Sequence, residues 1–260
     1  MTLAQPGTPL FLHYDSLPST NSEALNQARQ GAAEGVCVIA REQSAGRGRQ
    51  DRGWRSPRDA GLYLSVILRP RLAPENWPLL TLMAAVAVHQ TLESFFGLTA
   101  DIKWPNDVLA SGKKLAGILA ETADSVGGRA AVIGIGVNLA PEAVPAELRE
   151  SATSVRTELA GPPVVETVVN EFASALVRVL FADYADLHSE GGAARLVAAW
   201  CARSSYAQGK PVSVITGGKV LTGVTAGLTG GGALRLTTKD GDTCVLHSAE
   251  VNQLRQDKDG

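Results

Sequence analysis

Three cysteines in 260 residues, Cys37, Cys201 and Cys244, are too few and too scattered for a disulfide framework. No CxxC pair offers a zinc site, so buried free thiols in a reducing compartment are the expectation. Excess charge of either sign is also missing. The net charge is −2, and no global field draws the chain to nucleic acid. There is no run of about 18 uninterrupted apolar residues, so no membrane span is expected. Met1 to Pro9 lack a basic flank followed by an apolar run, which argues against a secretory signal. A GxxxxGK[ST] phosphate loop is absent. The Gly134-Ile135-Gly136 string lies inside a β-branched run with no helix opening after it, so it is not a dinucleotide fingerprint. These absences point to a soluble cytoplasmic protein whose chemistry uses none of those devices.

What is present is concentrated in one stretch, Glu42 to Pro57. Glycine and arginine alternate at its centre, Gly46-Arg47-Gly48-Arg49, and Trp54 follows. Glycine weakens both helix and strand, and unpaired arginines are not buried, so this segment reads as a mobile loop. Guanidinium groups suit phosphate or carboxylate, and glycines let backbone N–H groups approach the same anion. Arginines at 47, 49, 52, 55 and 58 form a local cationic concentration on a near-neutral chain. That favours a small anionic ligand over a polyanion.

Around this loop the pattern is mixed α and β. Leu10–Tyr14, Gly35–Arg41, Leu62–Leu68 and Ala131–Leu139 read as strands. Thr20 followed by Glu23 fits a capping box opening a helix, with Ser19 and Asn21 beside it. A helix N-terminus there also presents N–H groups and hydroxyls to a polar ligand. Pro74–Phe96 reads as a buried helix closed by Gly97, its His89 a packed or surface histidine and not a ligand; residues 164–187 and Ala193–Ala202 read as further helices. The apolar runs Asp101–Leu109 and Leu115–Glu121, on either side of Ser111-Gly112, read as the two strands of a hairpin. Lys103, Asn106, Asp107 and Lys114 sit on its shoulders, where charges beside a core need partners or a ligand. From Gly209 short β-rich runs alternate with glycine turns, the texture of a small antiparallel barrel.

Five strings occur in fixed order: Ser19-Thr20-Asn21; Gln43 to Arg49 with Trp54; Lys103-Trp104-Pro105-Asn106-Asp107; Lys114-Leu115-Ala116-Gly117-Ile118-Leu119 with Glu121; and Gly134 to Asn138. In that order they resemble the biotin protein ligases over nearly the whole chain. The resemblance implies an α+β fold: a mixed β-sheet backed by helices, of the class II aminoacyl-tRNA-synthetase-like kind, over residues 1–208. An SH3-like barrel over residues 209–260 would follow. It implies activation of biotin by ATP and Mg²⁺ to biotinyl-5′-adenylate, then transfer to one lysine of a biotin carboxyl carrier protein or domain. On the same grounds Lys114, Arg49 and Arg47 are the expected catalytic cations. Ser19, Thr20, Asn21, Gln43, Gly46, Arg47, Lys114 and Gly117 would surround biotin. Arg49, Arg52, Trp54, Lys103, Asn106, Asp107 and Asn138 would hold ATP and the adenylate, with Asp107 as a Mg²⁺ ligand.

Two departures qualify the expectation. Gln50-Asp51 stands where many relatives carry a basic residue and a glycine, placing a negative charge in the anion loop. The Ser-Thr-Asn string begins at residue 19, too early for a preceding DNA-binding domain, so a monofunctional ligase is expected, as monomer or homodimer. A lipoate–protein ligase, a non-catalytic biotin sensor and a nucleic-acid module are the competing readings.

Overall fold

The computed structural model describes residues 9–125, 128–161, 165–247 and 249–253. Seven strands form one mixed sheet: β1 (Leu10–Tyr14), β2 (Val36–Ala40), β3 (Gly61–Leu68), β4 (Asp101–Lys103), β5 (Asp107–Ala110), β6 (Lys113–Ser125) and β7 (Gly128–Asn138). Their order is β1-β2-β3-β7-β6-β5-β4, with β1 parallel to β2 and the other pairs antiparallel.

Both faces of this sheet are covered, and the side-chain alternation along each strand sorts residues between them. Leu62, Leu64, Val66 and Leu68 of β3, with Ile133, Ile135 and Val137 of β7, enter the main core. There they meet α2 (Pro78–Phe96), α4 (Glu166–Leu187) and α5 (Gly192–Ala202). The intervening Ile67, Ala130 and Val132 face α1 (Thr20–Arg29), which packs through Ala24, Leu25 and Ala28. A short α3 (Val155–Leu159) follows the connection after β7.

The α2 helix is buried nearly all round, because the sheet lies on one side and α4 and α5 on the other. Pro78 opens it and Gly97 closes it at φ 66°. Among the described residues only the segment holding this helix, Pro74–Phe96, has the length and apolarity of a membrane span, and it lies mostly inside the core. His89 lies within α2, its Nε2 3.0 Å from the carbonyl of Ala100, and burial lowers its pKa. Burial likewise pushes the Cys37 thiol up to about 12, which leaves it unreactive.

Two expectations need correction, and a third is met in part. The cap of α1 is Ser19, whose Oγ accepts from Ser22 N at 3.4 Å; Glu23 instead accepts from Gln27 Nε2 at 2.7 Å, so no capping box forms around Thr20. The Asp101–Leu109 run is not one strand: the chain reverses at Trp104-Pro105, so β4 pairs with β5 before the turn at Ser111-Gly112 is reached. The C-terminal strands β8 (Gln208–Thr216), β9 (Lys219–Leu228), β10 (Leu234–Thr238), β11 (Thr243–Leu246) and β12 (Glu250–Gln253) form a five-stranded antiparallel sheet. Its order, β11-β10-β9-β8-β12, leaves β11 and β12 as edges, so closure into a barrel is not seen among the described residues.

This second sheet shares the main core. Val212, Val214, Leu234 and Leu236 belong to the same apolar cluster as α2. Trp104 is buried and donates its indole N–H to the carbonyl of Gly232 at 3.0 Å. A Cβ at Gly232 would lie 2.7 Å from Leu82, so glycine is what lets the turn approach the helix.

One buried carboxyl has a measurable consequence. Asp183 on α4 has an Oδ2 without a hydrogen-bond partner, and desolvation, only partly offset by Arg203, raises its pKa to about 6. A folded-state pKa above the unfolded one means the native state binds this proton more tightly. Stability therefore falls as pH rises from about 4 to about 6, and the penalty persists above. Asp183→Asn is expected to raise stability by about 1–2 kcal/mol at pH 8 and by little at pH 4. Urea midpoints at the two pH values measure it; equal gains at both would refute the account.

Candidate active site

The cleft lies on the face of the sheet that carries α1. Ser19 caps the helix, which leaves Thr20 and Asn21 in its first turn facing the sheet, both buried. Gln43 reaches them from the end of β2: its Oε1 accepts from Thr20 N at 2.8 Å and Thr20 Oγ1 at 3.1 Å. Its Nε2 donates to Ser56 Oγ at 2.7 Å. The Ser65 hydroxyl, on β3, lies 2.6 Å from Asn21 Oδ1 and 2.8 Å from Thr20 Oγ1. Asn21 Nδ2 donates to Leu119 O at 3.2 Å and to Glu121 Oε2 at 2.8 Å. The result is a compact set of neutral donors and acceptors held in place by one another.

The glycines of β6 and β7 explain the floor. A Cβ at Gly134 would sit 2.1 Å from Asn21 Oδ1, and one at Gly136 2.5 Å from Trp54 Nε1. At Gly117 it would meet Trp54 and Lys114 at 3.2 and 3.3 Å. The alternation of glycine along β7 therefore makes room first for Asn21 and then for an indole laid flat on the sheet.

The arginine–glycine segment forms a narrow finger. Gln43 N donates to Ser56 O at 3.1 Å and Trp54 N to Gly46 O at 2.8 Å. A tight turn at Arg49–Asp51 reverses the chain, with Gln50 at φ 55°. Gly46 lies against the returning strand, where a Cβ would be 2.3 Å from Trp54 O. The finger's base is clasped by ion pairs. Arg41 grips Asp59 through two bonds of 2.8 and 2.7 Å, and Arg58 grips Asp15 at 2.6 and 3.0 Å. Hydrogen bonding to Arg41 holds the Asp59 carboxyl below its ordinary pKa. Arg58 is thus part of the clasp, whereas Arg47, Arg49, Arg52 and Arg55 line the cleft. The side chain of Asp51, expected to place a negative charge here, lies outside the described residues.

The opposite wall is the β5–β6 hairpin. Lys114 Nζ lies 2.7 Å from Asp107 Oδ1 and 5.4 Å from the centroid of the Trp54 ring. Its backbone is pinned on both sides, Lys114 N donating to Ser151 O at 2.8 Å and Thr153 N to Lys114 O at 2.9 Å. Arg49 Nη1 donates to Asn106 Oδ1 at 3.1 Å, and Asn106 Nδ2 to Ile118 O at 3.0 Å. Arg47 Nη2 reaches Glu121 Oε2 at 2.7 Å. Asn138 is buried and donates to Thr153 O at 3.0 Å.

These groups surround a cavity of about 260 Å³. Its wall holds Ser19, Thr20, Asn21, Gln43, Arg47, Arg49, Arg52, Trp54, Lys103, Asn106, Asp107, Lys114, Gly117 and Asn138. Of the residues expected to catalyse or to hold biotin and ATP, only Gly46 stands outside the wall. Asp107 is the sole carboxylate among the described lining residues, and no cluster of three metal-ligating side chains occurs among the described residues. Five contributors were not anticipated as parts of the site: Ser56, Ser65, Glu121, the Ser151–Thr153 segment, and the C-terminal pair Ala249 and Val251 that complete the wall. Glu121 stood in a quoted string without a role, and a lone serine in a strand carries no signal of its own. Chemically, the cleft joins a neutral hydrogen-bonding pocket to a cationic one.

Comparison with known proteins bears on that pairing. Residues 14–138 match the model of the biotin/lipoate A/B protein ligase family. The chain is 45% identical over 148 residues to the bifunctional ligase/repressor BirA of Bacillus subtilis, a match covering 56% of this chain and 46% of that protein. The chain thus spans about half the length of that relative. It is 35% identical over 242 residues to the biotin–[acetyl-CoA-carboxylase] ligase of Mycobacterium tuberculosis, covering 91% of this chain and 86% of that one. In fold it is similar to the biotin protein ligase of Aquifex aeolicus solved in complex with biotin and ATP, with a TM-score of 0.81 at 23% identity over 94% and 99% of the two chains.

Proposed function

The chain belongs to the biotin protein ligase family, and from that premise we propose that it joins biotin to a carrier protein through biotinyl-5′-adenylate. The observation that carries this reading is the junction of two pockets. Neutral partners from Thr20, Asn21 and Gln43 suit the ureido ring, whose two N–H groups and one carbonyl must be satisfied when buried. Lys114, Arg47 and Arg49 suit the two anions that must be brought together.

In the first half-reaction a biotin carboxylate oxygen attacks the α-phosphorus of ATP. The bond from that phosphorus to the β-bridging oxygen breaks, and pyrophosphate leaves. Lys114 stabilises charge shared by the carboxylate and the α-phosphate. Arg49 and Arg52 hold phosphate oxygens, and Lys103, Asn106 and Asn138 lie on the nucleotide side with Trp54 as a flat apolar face. In the second half-reaction the carrier's neutral lysine amine attacks the acyl carbon; AMP departs and the amine loses a proton. The finger, closed over the mixed anhydride, excludes water.

Mg²⁺ fits this donor set in one way. It commonly binds through one or two carboxylates and the substrate's phosphates, and Asp107 would supply the carboxylate. Bound there, it would neutralise phosphate charge. The C-terminal sheet, read as an SH3-like unit over 209–260 beside a catalytic unit over 1–208, contributes the wall at Ala249 and Val251.

Isotope exchange between pyrophosphate and ATP tests the proposal. Exchange should depend on biotin and be absent with lipoate, and a purified biotin carboxyl carrier domain should then gain biotin. Lipoate-dependent exchange would transfer the assignment to the other branch of the matched family.

A further inference from the structure

Glu121 does not line the cleft, yet two of the cleft's polar side chains end on it. A single oxygen, Oε2, accepts from Asn21 Nδ2 at 2.8 Å and from Arg47 Nη2 at 2.7 Å. The first donor sits in the neutral pocket at the start of α1. The second sits on the arginine–glycine finger. Thr20 and Gln43 already join the pocket to the finger's base; farther along the finger, β6 carries the carboxylate that Asn21 and Arg47 share.

Each contact has a definite effect. Asn21 spends both amide protons, one on Leu119 O and one on Glu121, so its Oδ1 must face Ser65 and the pocket. Turning the amide over would set Oδ1 against the carboxylate. Glu121 therefore decides which way this amide presents itself. Arg47, half exposed, gains a charge-assisted bond that holds the finger's flank against β6. Because one oxygen serves both donors, moving the carboxylate to suit one alters its bond to the other.

We propose that Glu121 is a positioning residue that couples occupation of the neutral pocket to closure of the finger. The inference rests on the biotin-ligase reading above. A ligand hydrogen-bonded to Asn21 fixes that amide, which fixes Oε2, which fixes Arg47. Filling the uncharged half of the site thereby orders the cationic half before the nucleotide arrives.

Trypsin tests this on the intact chain, because it cuts after the finger's own arginines. Cleavage at residues 47–55 is followed by mass spectrometry without biotin and with biotin at a concentration shown by calorimetry to saturate each protein. In the wild type, biotin should slow cleavage about tenfold, the scale of one charge-assisted hydrogen bond. In Glu121→Ala, saturating biotin should protect by less than about twofold. Glu121→Gln keeps the length and a neutral acceptor for Asn21. Its biotin affinity should stay within about threefold of wild type while protection remains incomplete. A general loosening of the fold would speed cleavage with and without biotin alike, leaving their ratio unchanged. Full biotin-dependent protection in Glu121→Ala would overturn the coupling; if that variant does not fold, full protection in Glu121→Gln would do the same. A wild type that binds no biotin by calorimetry would instead remove the ligase reading itself.

Discussion

Lys114→Ala should lower biotin-dependent ATP–pyrophosphate exchange by about 10³-fold, while biotin binding measured by calorimetry falls only a few-fold. The size follows from what the ammonium is placed to do. It has no role in the neutral pocket, so it contributes little to holding the ureido ring. Preorganised charge at a reacting oxygen is worth about two to three powers of ten, and Lys114 would serve two such oxygens at once. The preorganisation is visible. The lysine's backbone is held from both sides by residues 151 and 153, Asp107 lies 2.7 Å from its Nζ, and the Trp54 ring limits its swing. Truncation leaves Asp107 without this counter-ion, so some loss of stability is also expected. The separation of binding from exchange keeps that loss from confusing the result. Exchange within tenfold of wild type would show that adenylation does not pass through Lys114.

The sequence was most legible where chemistry and backbone needs coincide. Gly46-Arg47-Gly48-Arg49 can only be a loop with cationic tips, and residues 47 and 49 do line the cleft. Strand and helix positions followed from alternation and from the apolar stripe of α2, whose end was marked by Gly97; its start was read at Pro74, where a separate short turn precedes the helix that begins at Pro78. The glycines at 134 and 136 signalled a close approach but not by what; the approach is by Asn21 and Trp54, from segments more than 80 residues away. That distance is why the pocket's supports were not readable. Ser65 and Glu121 gain meaning only when β3 and β6 are set on either side of β7, and pairing of remote strands is not written in any local pattern. The Asp101–Leu109 reversal shows the same limit from the other side. Its apolar residues suited a single strand, and at the reversal Trp104 is buried and bonded to Gly232 of the C-terminal sheet, a contact 128 residues away in sequence. The C-terminal unit reaches the cleft through Ala249 and Val251, apolar positions that carry no signal of a site in the sequence.

Arg49→Gly should make the enzyme careless with its intermediate. The dissociation rate of biotinyl-5′-adenylate is expected to rise about 10–100-fold, equivalent to losing one or two charge-assisted hydrogen bonds to phosphate. Arg49 sits at the tip of the finger and donates to Asn106 Oδ1, and Asn106 is itself bonded at both its backbone carbonyl and its amide to Ile118. The tip thus docks on a rigid hairpin and not on another loop. Glycine at 49 removes the docking bond and the phosphate partner together, and it adds backbone freedom at the turn where Gln50 already holds a positive φ. Adenylate formation should suffer less than adenylate retention, because Lys114 is untouched. Released adenylate is an activated acyl donor that reacts with any accessible neutral amine. Bystander proteins added to the reaction should therefore acquire biotin on surface lysines, in proportion to variant concentration and time, whereas the wild type labels only the carrier. Two readouts decide the matter: release of pre-formed radiolabelled adenylate after a chase, and streptavidin detection of biotin on added serum albumin. An unchanged release rate would remove Arg49 from the clamp, and labelling of albumin without faster release would mean that the open finger exposes the anhydride while still holding it.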